Sequence, residues 1–135
     1  MKLNFDVESI LSTHEPDYLD IGGDYNFSFV LSFSHLPDIS FARWLKALYS
    51  MLSNGGVLLF TANGDLARIK HPVSFEKILN QDQGWGYGPD SDYPDLDDKE
   101  HGTMILKNSY VVQAIESCCQ GAQLVRFESG VWFGH

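Results

Sequence analysis

Phe27 to Gly64 reads FSFVLSFSHLPDISFARWLKALYSMLSNGGVLLFTANG, and the change of period along it decides the fold. Phe27, Phe29, Leu31 and Phe33 alternate with Ser28, Val30 and Ser32, so this segment has the two-residue period of a strand, aromatic on one face and small on the other. His35, Leu36 and Pro37 interrupt it, and Asp38 suits the N-cap of a helix. From Ile39 to Leu52 the apolar residues Phe41, Leu45, Leu48 and Leu52 recur at helical spacing, with Arg43, Lys46 and Ser50 on the other side. Asn54-Gly55-Gly56 tolerates positive φ and is expected to close this helix at its C-cap. Val57 to Ala62 (VLLFTA) is a short apolar run of the kind found in parallel strands buried on both faces. Strand, helix and strand together predict a βαβ unit with a right-handed crossover, and hence a parallel sheet.

Working outward, Gly64 to Lys70 and Ser74 to Asn80 each suit a short helix. Gln81 to His101 is rich in Gly, Pro and Asp, holds Trp85, Tyr87 and Tyr93, and reads as a long acidic loop insertion. Asn108 or Ser109 can cap a helix running to Cys119, Gly121 can end it, and Ala122 to Glu128 reads as another strand before the closing GVWFGH. Neither an internal repeat nor a Ser/Gly linker divides the 135 residues, which are expected to form a single domain.

The chain is 44% apolar and carries 9 Lys plus Arg against 18 Asp plus Glu, a formal charge of −9. That apolar share supports a packed core rather than a disordered tail. Scattered cations argue against nucleic acid, whose phosphates need clustered Lys and Arg. Seven of the 18 acids lie between Gln81 and His101, so the excess charge is a local feature. No apolar run has the length of a membrane span. The opening MKLNFDVES lacks the uninterrupted apolar stretch of an export signal, and the adjacent Cys118 and Cys119 suit a reducing compartment, so a cytoplasmic location is expected.

The central stretch also resembles the second half of class I S-adenosylmethionine-dependent methyltransferases. Ser34-His35-Leu36-Pro37 and then Leu52-Ser53-Asn54-Gly55-Gly56-Val57-Leu58-Leu59-Phe60 come in that family's order and at nearly its spacing. The tail Phe127 to His135 (FESGVWFGH) looks like the end of one of its branches. The resemblance implies an α/β fold, a partial doubly wound (Rossmann-like) parallel sheet with the later strands and helices of a class I methyltransferase. It further implies transfer of a methyl group from S-adenosylmethionine to a small-molecule acceptor. The departures are Asn54 in place of the family's Pro, a shortened link between Phe33 and His35, and the lack of an Asp-x-Gly-x-Gly-x-Gly turn. Asp20-Ile21-Gly22-Gly23-Asp24-Tyr25-Asn26 begins like that turn, but Asp24 and Asn26 replace its later glycines, and it leads into a strand where a cofactor turn feeds a helix. Only 33 residues precede Ser34, fewer than the family's spacing needs. Residues 1–135 are therefore expected to be an incomplete methyltransferase-like domain that binds S-adenosylmethionine weakly or not at all by itself. The alternative is a non-catalytic methyltransferase-like fragment or protein-interaction module, self-associating through an exposed sheet edge.

Ligands of open parallel sheets sit beyond the carboxyl ends of the strands, the place that Phe33 to Pro37 occupies. The resemblance assigns Ser32, Phe33, Ser34 and His35 to the cofactor's edge, while Ser34 and His35 equally suit orienting the next helix through side-chain hydrogen bonds. His35 and His135 are the candidates for a catalytic base, since imidazole titrates at pH ~6.5, although a lone His often serves structure. Trp132 and Phe133 are candidates for an acceptor pocket, with the core an equal use for Trp132. No metal site is expected. Aligned on Asp90, a calcium loop would need an oxygen ligand at Pro94, Gly at Asp95 and Glu at His101. The five histidines are widely spaced and no CxxC is present. Neither GxSxG nor GxxxxGK[ST] occurs, which removes two enzyme classes built on similar sheets.

Overall fold

The computed structural model describes residues 15–31, 33–36, 38–70, 79–80, 83–88 and 102–130. Strand β1 (Tyr25–Val30) and strand β2 (Leu52–Phe60) pair in parallel, with Phe27 opposite Val57 and Val30 opposite Phe60. Helix α1 (Asp38–Ser50) connects them, so the predicted strand–helix–strand unit is present. β1 lies earlier than the alternation suggested. Thr61 N–H donates to Val30 O at 3.2 Å and Phe33 N–H to Thr61 O at 2.8 Å, and the chain then coils into a 3-10 turn at Phe33–His35. This turn takes Phe33 off the aromatic face and into the core.

α1 stops at Ser50, so Asn54-Gly55-Gly56 does not close it. These residues lie inside β2, where the pairing jumps from Tyr25–Leu52 to Phe27–Val57. Gly55 adopts φ 80°, and a Cβ on Gly56 would stand 2.7 Å from Tyr25 O. The glycines thus build a bulge that lets β2 start directly after the helix.

A second sheet is antiparallel in the order β3 (Leu79–Asn80), β4 (Trp85–Gly88), β5 (Thr103–Leu106). Leu79 and Asn80 thus belong to a strand rather than to a helix over Ser74–Asn80, and the rest of that stretch to residue 78 lies outside the described residues. β4 falls within the stretch read as a loop, of which residues 89–101 lie outside the described residues. Trp-Gly-Tyr-Gly has the strand period, with Trp85 and Tyr87 packed against the core and Gly86 and Gly88 buried on the opposite side.

α2 (Asp65–Lys70) and α3 (Asn108–Cys118) fall where expected. α3 starts after Lys107 without a side-chain cap, and Gly121 lies in the turn beyond it. Ala122–Glu128 is not a strand: its side chains are exposed, and among the described residues it joins no ladder. The core is Phe33, Phe41, Leu45, Met104, Leu106, Val111, Ala114 and Cys119, contributed by the 3-10 turn, α1, β5, α3 and the residue after it. Phe33 is set edge-on to Phe41 and Phe60, with ring centroids 5.2 and 5.4 Å away. The described residues thus form a mixed α/β structure with one parallel pair and one antiparallel sheet. No helix among the described residues is long and apolar enough to cross a membrane.

Candidate functional site

The carboxyl ends of β1 and β2 open onto two turns, residues 33–36 and residues 61–64. β5 is fastened to both. Leu106 N–H donates to Asn63 O at 2.9 Å, and Gly102 N–H donates to His35 O at 3.5 Å. In return His35 Nδ1 donates to Gly102 O at 3.0 Å. A carbonyl oxygen only accepts, so Nδ1 carries the proton, and Nε2 is the nitrogen left to take one from another molecule. The His35 side chain is exposed, which keeps that nitrogen's side of the ring within reach of solvent. One imidazole thereby does two things. It pins the turn after β1 to the antiparallel sheet, a structural use different from the expected orienting of the next helix, and it leaves Nε2 unused by that bond.

The other candidates fall differently. Phe33 has a ring that is 2% exposed, so its aromatic side is spent on the core and its backbone is the part that faces the turn. Ser34 is the middle residue of that turn. Ser32, Trp132, Phe133 and His135 lie outside the described residues. Asp20–Asp24 is a loop, as expected, with Gly22 at φ 76° and Asp24 at φ 63°, while Tyr25 and Asn26 already belong to β1, so the segment leads into a strand rather than into a helix. The Tyr25 hydroxyl donates to Ile21 O and closes the loop on itself.

Sequence reasoning missed Gly102 and Asn63. Gly102 is 67 residues from His35, so no local spacing could mark it. The only hint was a Gly immediately before the apolar run Thr103–Leu106.

Elsewhere, Arg43 on α1 lies 2.5 Å from both Glu15 and Asp17 and holds the 3-10 turn Pro16–Tyr18 to the helix. Its hydrogen bond to Asp17 raises its pKa further, so it is a fixed cation. Cys118 and Cys119 are free thiols, and burial pushes Cys119 up to about 11, with the neighbouring Cys118 adding to the shift. Such a thiol is a poor nucleophile and a packing residue. Among the described residues no three His, Cys, Asp or Glu side chains gather as metal ligands would. No family model, curated protein or solved structure matches this chain.

Proposed function

We propose that this chain carries the later half of a class I S-adenosylmethionine-dependent methyltransferase domain, its parallel pair belonging to a doubly wound sheet. The carboxyl edge of β1 and β2 then forms one wall of the cofactor's site. The observation that carries the reading is the parallel β1–α1–β2 unit with Ser34-His35-Leu36 directly beyond the carboxyl end of β1. The residues fit the cofactor in part. The turns at 33–36 and 61–64 offer backbone groups and the exposed His35 at the place where such sheets bind ligands. The described residues supply neither a glycine turn feeding a helix nor an acid on a preceding strand.

When bound, S-adenosylmethionine supplies a sulfonium methyl group ready for in-line displacement, so the protein's share is alignment and proton management. Phe33 anchors the turn by its buried ring, Gly102 fixes the His35 tautomer, and His35 Nε2 takes the proton of a small-molecule acceptor. The free thiols fit a reducing, cytoplasmic setting. Because the described residues offer neither the glycine turn nor the acid to contact the cofactor, this chain alone binds weakly and is not competent for turnover.

Nuclear magnetic resonance with S-adenosylhomocysteine at millimolar concentration tests the reading. Shifts confined to residues 33–36, 61–64 and Gly102 are expected. Shifts elsewhere, or none, overturn the assignment of the edge. A micromolar dissociation constant by calorimetry overturns the claim of incompleteness and returns attention to the Asp20–Asn26 segment.

A further inference from the structure

The pairing of β4 with β5 ends at Gly88 opposite Thr103, so Gly102 lies one residue beyond the last pair of the ladder. Its peptide nevertheless makes two contacts to the turn after β1, the N–H to His35 O at 3.5 Å and the carbonyl to His35 Nδ1 at 3.0 Å. A glycine outside a ladder has a wide choice of backbone angles, so the direction of that carbonyl needs a packing partner. Tyr87 supplies it. Tyr87 stands opposite Met104, which makes Gly102, two residues earlier, its diagonal neighbour, within reach of an aromatic ring. A Cβ on Gly102 would stand 2.7 Å from both Cζ and Oη of Tyr87, so the end of the ring rests on the bare α-carbon. An aromatic ring laid across a glycine is a known device for holding an edge of a sheet. Here the ring also packs against the core, and Gly102 is buried.

We propose that Tyr87 is a positioning residue for His35. By holding Gly102 in place, its ring keeps the imidazole in the Nδ1–H tautomer and so keeps Nε2 as the nitrogen that accepts a proton. The catalytic use of this control rests on the reading of His35 as the base, while the control itself does not. A neutral imidazole has one donor and one acceptor nitrogen, and the hydrogen bond that one of them makes decides which is which. In water the Nε2–H form predominates. Without the Gly102 carbonyl in place, Nε2 therefore carries the proton in most molecules, and a nitrogen already protonated takes none from an acceptor. The effect passes through the bulk of the ring, because a glycine α-carbon offers the Tyr87 hydroxyl no ordinary hydrogen-bond partner.

Nitrogen-15 spectra of the full chain with labelled histidine, taken without ligand in mildly alkaline solution, test it. The two ring nitrogens of a neutral imidazole exchange their shifts between the tautomers, and the His35 signals are assigned by their loss in His35→Gln. The wild type is expected to show His35 as Nδ1–H, with nuclear Overhauser contacts between the Tyr87 ring and the Gly102 α-protons. Tyr87→Phe keeps the ring and is expected to keep the tautomer. Tyr87→Leu is expected to move His35 to a mixture in which Nε2–H is the larger part. Val111→Ala, which removes volume from the buried face of α3, is expected to leave His35 unchanged, so general loosening is told apart from lost position. Retention of Nδ1–H in Tyr87→Leu, its loss in Tyr87→Phe, or an equal loss in Val111→Ala overturns the inference. So does a wild type that is mainly Nε2–H or lacks the Tyr87–Gly102 contact, a result that needs no variant to fold. A wild type held as Nδ1–H but unmoved by S-adenosylhomocysteine supports the positioning role and overturns the methyltransferase reading, so the two fail separately.

Discussion

A methyl group on Gly102 would stand 2.7 Å from the Tyr87 ring and nearer still to Gly88 O, while the Gly102 carbonyl holds His35. The Gly88 backbone cannot yield as the end of a flexible side chain would, so Gly102→Ala forces β5 away from β4. The expected cost is about 1–3 kcal/mol by denaturant unfolding, the usual scale of overpacking. His35→Ala removes one hydrogen bond from an exposed ring and is expected to cost no more than about 1.5 kcal/mol. Equal losses from the two substitutions would mean that the His35 bond, and not the close backbone approach, makes this position sensitive. Cys119 gives a pH test. Its thiol ionises at about 11 in the fold against an ordinary value of 9.0, so the neutral form is the one the core favours. Stability from this group is complete below pH 9 and is lost as pH rises towards 11. The melting temperature is therefore expected to fall less steeply over that window in Cys119→Ala than in the wild type.

The helix α1 succeeds as an element because its Phe41–Leu45–Leu48 stripe meets a matching aromatic layer. Phe41 is fully buried, and its ring lies 5.2 Å from Phe33, 6.1 Å from Phe60 and 6.2 Å from Tyr110. Phe41→Ala is expected to cost about 3–5 kcal/mol, since it removes contacts to the turn, β2 and α3 together. Lys46→Ala, on the exposed side of the same helix, is expected to stay within about 0.5 kcal/mol. Chemical denaturation of the pair separates packing from helix propensity, and similar losses at both positions would contradict the burial assigned to Phe41. In β2 the bulge at Ser53–Gly56 lets a strand come after a helix with Met51 alone between them, which is why the Asn-Gly-Gly run belongs to the strand.

For the whole molecule, the two sheets share one core, and the His35–Gly102 pair and the Asn63–Leu106 hydrogen bond are among the ties between them. β5 carries the fully buried Met104, Ile105 and Leu106, and so lies at the centre of cooperativity. Hydrogen exchange is expected to be slowest at Met104–Leu106 and along the core-facing sides of α1 and α3, and fastest at 123–128, where the amides have no ladder. Exchange at 123–128 as slow as in β5 would show that this stretch is paired after all.

The local periods of the chain determined the parallel unit. Two-residue alternation around Phe29, four-and-three spacing through Phe41, Leu45 and Leu48, and the apolar run after Gly56 each arise from neighbours along the backbone, and no distant contact was needed to read them. The same local logic located α2 and α3. It did not determine that Asn54-Gly55-Gly56 is a bulge, because a positive-φ glycine serves a C-cap and a bulge alike, and only the neighbouring strand selects between them. Trp85–Gly88 looked like a loop for the same reason: four residues alternating with glycine become a strand when β5 lies alongside. Ala122–Glu128 has strand composition, but among the described residues it has no neighbouring strand and joins no sheet. At the candidate site, the exposed turn with His35 was legible from its place after a strand. Its partner Gly102 and the buried fate of the Phe33 ring were decided by tertiary packing, since burial and distant hydrogen bonds depend on what the fold brings alongside a residue and not on the residues beside it in the chain.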